Sequence, residues 1–93
     1  MLLSVSAVEH LTGYRLRLTF NDGLAKDVDL SRHWDALFGP VFQPLRDPRF
    51  FAQVSLPPDC ETIEWPNGAD LAAEYLYEIG TPVVSIELAV ALR

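Results

Sequence analysis

Three carboxylates, Glu64, Asp70 and Glu74, fall in one short stretch of this chain and are its best candidates for chemistry. Asp70 and Glu74 are spaced one helical turn apart, and Glu64 precedes the intervening turn, so the three can converge. A carboxylate pair can perform general acid–base catalysis when one member sits in a cleft that raises its pKa, whereas a helix start favours the charged form. One reading of the chain is therefore a small enzyme using Asp70 and Glu74. Other chemistry finds less support. His10, His33 and Cys60 are scattered with no pair at a usual ligand spacing, so no metal and no cofactor are expected. Cys60 is the only cysteine, which rules out an intramolecular bridge, and its neighbours Pro57-Pro58-Asp59 and Glu61 do not favour a thiolate. None of Ser4, Ser6, Ser31, Ser55 and Ser85 stands in a nucleophile-elbow context, and the five glycines are too dispersed to cradle a phosphate.

The carboxylates surround the segment Trp65-Pro66-Asn67-Gly68-Ala69-Asp70-Leu71, which joins an apolar strand to a helix. Pro66 fixes its own φ and drives Trp65 toward extended backbone, and Gly68 permits a positive φ, so the chain must turn here. Asp70 is expected to cap the helix that follows. Turn and cap chemistry accounts for the segment; the functional alternative is a binding loop presenting Asn67 and Asp70. Trp65 ends the apolar face of its strand and is expected to be buried, the alternative being an exposed binding residue.

Ninety-three residues make one domain, and 49% hydrophobic with 22% charged residues is the balance of an ordinary globular core rather than a disordered chain. Residues 1 to 49 carry six basic and six acidic side chains, while residues 50 to 93 carry seven acidic ones against Arg93 alone. The whole net charge of −6 thus comes from the second half. Nucleic-acid affinity rests largely on Lys and Arg displacing counterions, so this balance predicts no direct nucleic-acid binding. An acidic surface suits a basic protein partner, and Glu61, Glu64, Trp65, Asn67, Asp70, Glu74 and Glu78 are the candidate contacts; the alternative is a solvated face that keeps the domain soluble. The start lacks a basic leader segment and no apolar run approaches a membrane span, so a cytoplasmic protein without membrane contact is expected.

Leu3, Val5 and Ala7 alternate with serines as in a first strand. Leu16, Leu18 and Phe20 oppose Arg15, Arg17 and Thr19, Asn21-Asp22-Gly23 turns the chain, and Leu24, Val28 and Leu30 return opposite Ala25, Asp27 and Asp29, predicting a hairpin with ion pairs outside. Ser31 is expected to cap two helical turns over Arg32 to Phe38, ended by Gly39-Pro40. Residues 41–45 read as a loop, Asp47-Pro48 as the start of a brief helix, residues 53–65 as a second hairpin, and Leu71, Tyr75 and Ile79 as the buried stripe of a helix closed by Gly80 and Pro82. The expected fold is a single α+β domain over residues 1–80, with an antiparallel sheet of about five strands carrying short helices. The tail, residues 81–93, suits a helix or a strand. Its Val84, Ile86, Leu88, Val90 and Leu92 offer more apolar surface than a small domain readily covers, which predicts a homodimer.

Five motifs in order carry a likeness: Phe20-Asn21-Asp22-Gly23, Asp29-Leu30-Ser31, Phe42-Gln43-Pro44-Leu45-Arg46-Asp47, Phe51-Ala52-Gln53-Val54 and the Trp65 to Leu71 segment. With them the chain resembles the domain of unknown function 2442 family over roughly residues 3 to 78. The resemblance implies a small bacterial α+β domain with no agreed activity and no catalytic residue to carry over. Many members of that family are encoded beside a small basic protein, an arrangement similar to a toxin and antitoxin pair. It implies a regulatory or antitoxin-like role ahead of an enzyme.

Overall fold

The computed structural model describes residues 2–83. The expectations for the tail beyond Val83, a helix or a strand and the homodimer built on it, lie outside the described residues.

One antiparallel sheet organises the described residues, with β1 (Val5–His10), β2 (Arg15–Phe20), β3 (Ala25–Asp29) and β4 (Thr81–Pro82) in sequential order. Four strands therefore stand where about five were expected. The β2–β3 hairpin follows from the alternation in its sequence: Leu16, Leu18, Phe20 and Val28 are buried while the arginines and aspartates face out. Its loop is closed by the Gly23 amide donating to Phe20 O at 2.9 Å and the Phe20 amide to Leu24 O at 2.8 Å, with Gly23 at φ +90°. Outside, the Arg17 guanidinium donates two hydrogen bonds to Asp27, at 2.8 and 3.1 Å.

The first strand departs from its alternation because a bulge interrupts the register between Val5 and Ala7. Val5 is buried, Ala7 is exposed, and Val8 and His10 take the inner row opposite Leu18 and Leu16. An extra residue in a period-of-two element reverses the face of everything beyond it.

The second hairpin does not form. Residues 53–65 contribute only the single bridges Ser55 to Glu64 and Glu64 to Asp70. The strand candidates are separated by Pro57-Pro58 and by Asp59 at φ +68°, which bend the backbone too sharply for a ladder to extend. The expected helix over residues 32–38 is also replaced, by two short 3₁₀ turns, Leu30–Arg32 and Trp34–Ala36. Asp29 rather than Ser31 is the cap: its carboxylate accepts the Ser31 amide at 3.0 Å and hydroxyl at 2.6 Å, which starts the turn early. Gln43–Arg46 forms a third 3₁₀ turn inside the expected loop.

Helix α1 (Pro48–Phe51) forms where Asp47-Pro48 predicts it, with the Asp47 carboxylate accepting the Arg49 amide at 2.9 Å. Helix α2 (Ala73–Ile79) closes at Gly80. Glycine is needed there for space and not for a positive φ, since a Cβ at Gly80 would stand 2.8 Å from Lys26 Cβ and 3.0 Å from Leu76 O. Gly80→Ala is accordingly expected to destabilise the fold by about 1–3 kcal/mol, read as a lower urea midpoint; an unchanged midpoint would show that α2 and β3 can separate freely.

The core lies between the inner face of the sheet and the segments that follow it, with Leu16, Leu18, Phe20, Leu30, Leu45, Phe51, Ile63, Trp65 and Leu76 essentially inaccessible. Lys26 occupies the inner row opposite Leu18, yet its ammonium reaches Tyr77 O at 2.8 Å and lies 3.6 Å from the centre of the Tyr77 ring. The carbonyl and aromatic face satisfy the charge where an apolar residue would otherwise stand. The Tyr77 hydroxyl in turn donates to Asp22 Oδ2 at 2.7 Å, tying α2 to the hairpin loop.

That bond and the Arg17 bonds set a pH dependence. The hydrogen bond from Tyr77 holds the Asp22 carboxyl below its ordinary value, and the hydrogen bonds from Arg17 do the same for Asp27. A carboxyl with a lowered folded pKa adds stability that is complete above its unfolded value, about 4, and is lost as pH falls through the folded value. The same bond raises the Tyr77 phenol, whose contribution is complete below about 10 and lost as pH rises beyond it. The unfolding midpoint should fall as the medium is acidified below about pH 4, and less steeply in the Asp22→Asn, Asp27→Asn double variant. Identical acid limbs would contradict this assignment.

Candidate functional site

The turn around Trp65 is built as its residues require. The Gly68 amide donates to Trp65 O at 2.9 Å with Gly68 at φ +88°, and Asn67 Oδ1 accepts the Ala69 amide at 3.1 Å. Trp65 is only 1% exposed, and its indole N–H donates to Phe51 O at 3.0 Å. Trp65 therefore positions the turn from within and is not available as a contact for a partner. Asn67 uses its amide to reach across the chain, donating to Val41 O at 2.8 Å, and so clamps the Gly39–Val41 loop against the turn.

Asp70 does not cap the helix. Its backbone is bridged to Glu64, α2 starts later with Ala72 as its N-cap, and no side chain caps that end. The one-turn relation between Asp70 and Glu74 is lost with it, because only Glu74 lies on the helix. The two bridges instead align Ser55, Glu64 and Asp70 across neighbouring backbones, so their side chains share one face. Glu61, Asp70, Glu74 and Glu78 are exposed and Glu64 is half-buried.

The carboxylates of the two halves differ in what they hold, apart from Glu9 and Asp35, which have no side-chain hydrogen bond or ion pair among the described residues. Asp22, Asp27, Asp29 and Asp47 each accept hydrogen bonds that shape the fold or lie within 4.0 Å of an arginine. Asp59, Glu61, Glu64, Asp70, Glu74 and Glu78 have no side-chain hydrogen bond and no ion pair among the described residues. The cations are engaged elsewhere: Arg17 with Asp27, Lys26 with Tyr77, and Arg46 over the Trp34 ring.

Among the described residues, two depressions bear on these side chains. The larger, about 690 Å³, lies beside β3 and β4 and is lined by Arg15, Asp27, Asp29, Arg32, His33 and Thr81 among others, with its arginines and aspartates facing one another. None of the candidate partner contacts, Glu61, Glu64, Trp65, Asn67, Asp70, Glu74 and Glu78, lines it. The smaller, about 240 Å³, runs between Ala36, Leu37 and Phe42 on one side and Leu71, Ala72 and Tyr75 on the other, with Asp70 on its wall. Phe38 and Val41, on the loop that Asn67 clamps, are 77% and 40% exposed. This second depression was not apparent in the sequence because its walls are some thirty positions apart, and Phe38, whose place in the expected helix beside Leu37 suggests that it covers the sheet, is exposed instead.

Residues 5–82 match the family described as Protein of unknown function (DUF2442). The chain belongs to the DUF2442 family. Among curated proteins none matches it. Among solved structures it is similar to the crystal structure of the putative DNA binding protein NE0471 from Nitrosomonas europaea ATCC 19718, at 32% identity and a TM-score of 0.58, over 71% of this chain and 41% of that one. The DUF2442 chain thus spans less than half the length of that protein. The description of NE0471 overturns one expectation: acidic composition alone does not exclude nucleic-acid binding for this DUF2442 domain. Net charge is a sum over the whole surface, while a nucleic acid meets only one face of it.

No helix among the described residues is long and apolar enough to cross a membrane. Among them no group of three or more His, Cys, Asp or Glu side chains is placed to hold a metal ion.

Proposed function

We propose that this DUF2442 domain is a non-catalytic protein-binding module whose second half engages a basic partner, in the manner of an antitoxin that neutralises a small basic protein. The observation that carries this reading is the run of carboxylates from Asp59 to Glu78 with no partner among the described residues, on a domain whose other acids are mostly committed to caps and ion pairs. Exposed carboxylates left unneutralised make the potential over their face more negative and speed the approach of a positively charged protein. The rival enzyme reading loses the one-turn helical spacing of Asp70 and Glu74 on which it rested.

A second reading, direct contact with DNA, is favoured by the description of NE0471, which this chain resembles over 41% of that protein's length. The two readings separate in one experiment. The chain is used to capture proteins from its own cell extract at low and high salt, alongside a variant with Glu61, Glu64, Glu74 and Glu78 replaced by glutamine, and whatever is retained is then co-expressed with it. A basic protein held at low salt, released at high salt and lost from the variant supports the module. Retention of no basic protein, together with identical behaviour of the variant, overturns it; a duplex DNA bound by the purified chain alone would support the second reading in its place.

A further inference from the structure

Resting on the protein-binding reading, we infer that the partner docks an amphipathic basic segment on the depression between Leu37 and Leu71, seating one large apolar side chain there with lysines or arginines beside it. The depression holds about 240 Å³, below the range of about 300–1,000 Å³ typical of small-molecule sites and suited to a single anchoring side chain. Its lining is apolar apart from Asp70, the Tyr75 hydroxyl being buried beneath it, and contains no lysine or arginine. Phe38 and Val41 extend the apolar surface outward, since the residues flanking them, Leu37 and Phe42, are themselves part of the wall. A phenylalanine 77% exposed on a loop fixed by Asn67 is held toward solvent and contributes little to the core.

Charge selects the occupant. Asp70 lies on the wall, Glu64 shares its face through their bridge, and the exposed Asp35 and Glu74 immediately precede the lining residues Ala36 and Tyr75. An acidic partner would meet like charge at Asp70 and, along the same face, at Glu64, and a neutral one would leave these carboxylates without counter-charge. A helix with apolar residues along one stripe and basic residues beside it satisfies both features.

The test uses a labelled fifteen-residue peptide of leucine and lysine arranged so that the leucines form one helical face, with two controls in which serine replaces leucine or glutamine replaces lysine. Affinity is read by fluorescence anisotropy at low salt against the full chain and its Phe38→Ala and Asp70→Asn variants. Exchanging leucine for serine should weaken binding by about tenfold, and so should Phe38→Ala. Asp70→Asn should weaken the lysine peptide and leave the glutamine peptide unaffected. Thermal unfolding of Phe38→Ala must match that of the parent chain, so that lost affinity reports contact and not folding. If the serine peptide binds as well and Phe38→Ala changes nothing, the docking site is wrong while the acidic surface stands. If neither lysine peptide binds, or the glutamine peptide binds as tightly, the basic occupant and the reading beneath it both fall.

Discussion

Trp65→Ala should lower the free energy of unfolding by about 3 to 5 kcal/mol, a large fraction of what a domain of this size has. The indole is 1% exposed, packs 5.6 Å from the Phe51 ring between centroids, and donates to the Phe51 carbonyl. Alanine removes the buried mass and leaves a carbonyl inside without its donor. Trp65→Phe separates the two effects in part, since it keeps the larger share of the buried ring and loses the N–H, at about 1 to 3 kcal/mol. Urea unfolding followed by far-ultraviolet circular dichroism measures both, and a midpoint that Trp65→Ala leaves unchanged would place the indole outside the core.

Phe51→Ala should cost a similar amount, about 3 to 5 kcal/mol, while Phe38→Ala stays within about 0.5 kcal/mol of the parent. Phe51 is wholly inaccessible, and its ring meets Tyr14 edge-on at 5.3 Å and His10 at 5.8 Å in addition to Trp65. Tyr14 continues the chain of rings to Trp34 at 5.0 Å, and its hydroxyl donates to the Arg46 carbonyl, so that losing Phe51 unseats β1, β2 and the segment before α1 together. Phe38 has no such role in stability. A substantial loss on Phe38→Ala would mean that its ring is covered in solution and would remove it from the proposed docking surface.

The parts of this fold that the sequence declares are those written locally. β2 has strict alternation and a turn whose Gly23 accepts a positive φ, so its faces and even the partnership of Arg17 with Asp27 follow from spacing, whereas Leu24, expected on the inner face with Val28, is 47% exposed at the turn. Asp47-Pro48 likewise announces α1 within two residues. Where competing local bonds are nearly equivalent, the reading goes astray: Asp29 outcompetes Ser31 as a cap, and Asp70 gives its backbone to Glu64 and leaves the helix start to Ala72. Lys26 shows the opposite limit. Its inward position is explained only by Tyr77, fifty-one residues away, whose carbonyl and ring receive the ammonium. The candidate site divides in the same way. Glu61, Glu64, Asp70, Glu74 and Glu78 could be picked out as unbalanced charge, but the apolar depression beside Asp70 is walled by Leu37 and Phe42 on one side and Leu71 and Tyr75 on the other, which only the fold brings together, and Trp65 lies buried beneath the turn.

The most direct measurement of the central claim is a map of where a basic ligand touches the domain. Backbone amide spectra of the isotope-labelled full chain, titrated with the leucine–lysine peptide at about 0.1 M and then about 1 M salt, provide it, since the screening length falls from about 10 Å to about 3 Å over that range. Saturable shifts are expected, concentrated on residues 35–42 and 61–78, strongly weakened at the higher salt and lost when Glu61, Glu64, Glu74 and Glu78 are replaced by glutamine. Shifts centred instead on Arg15, Arg32 and His33, or shifts indifferent to salt and to those four substitutions, would contradict it.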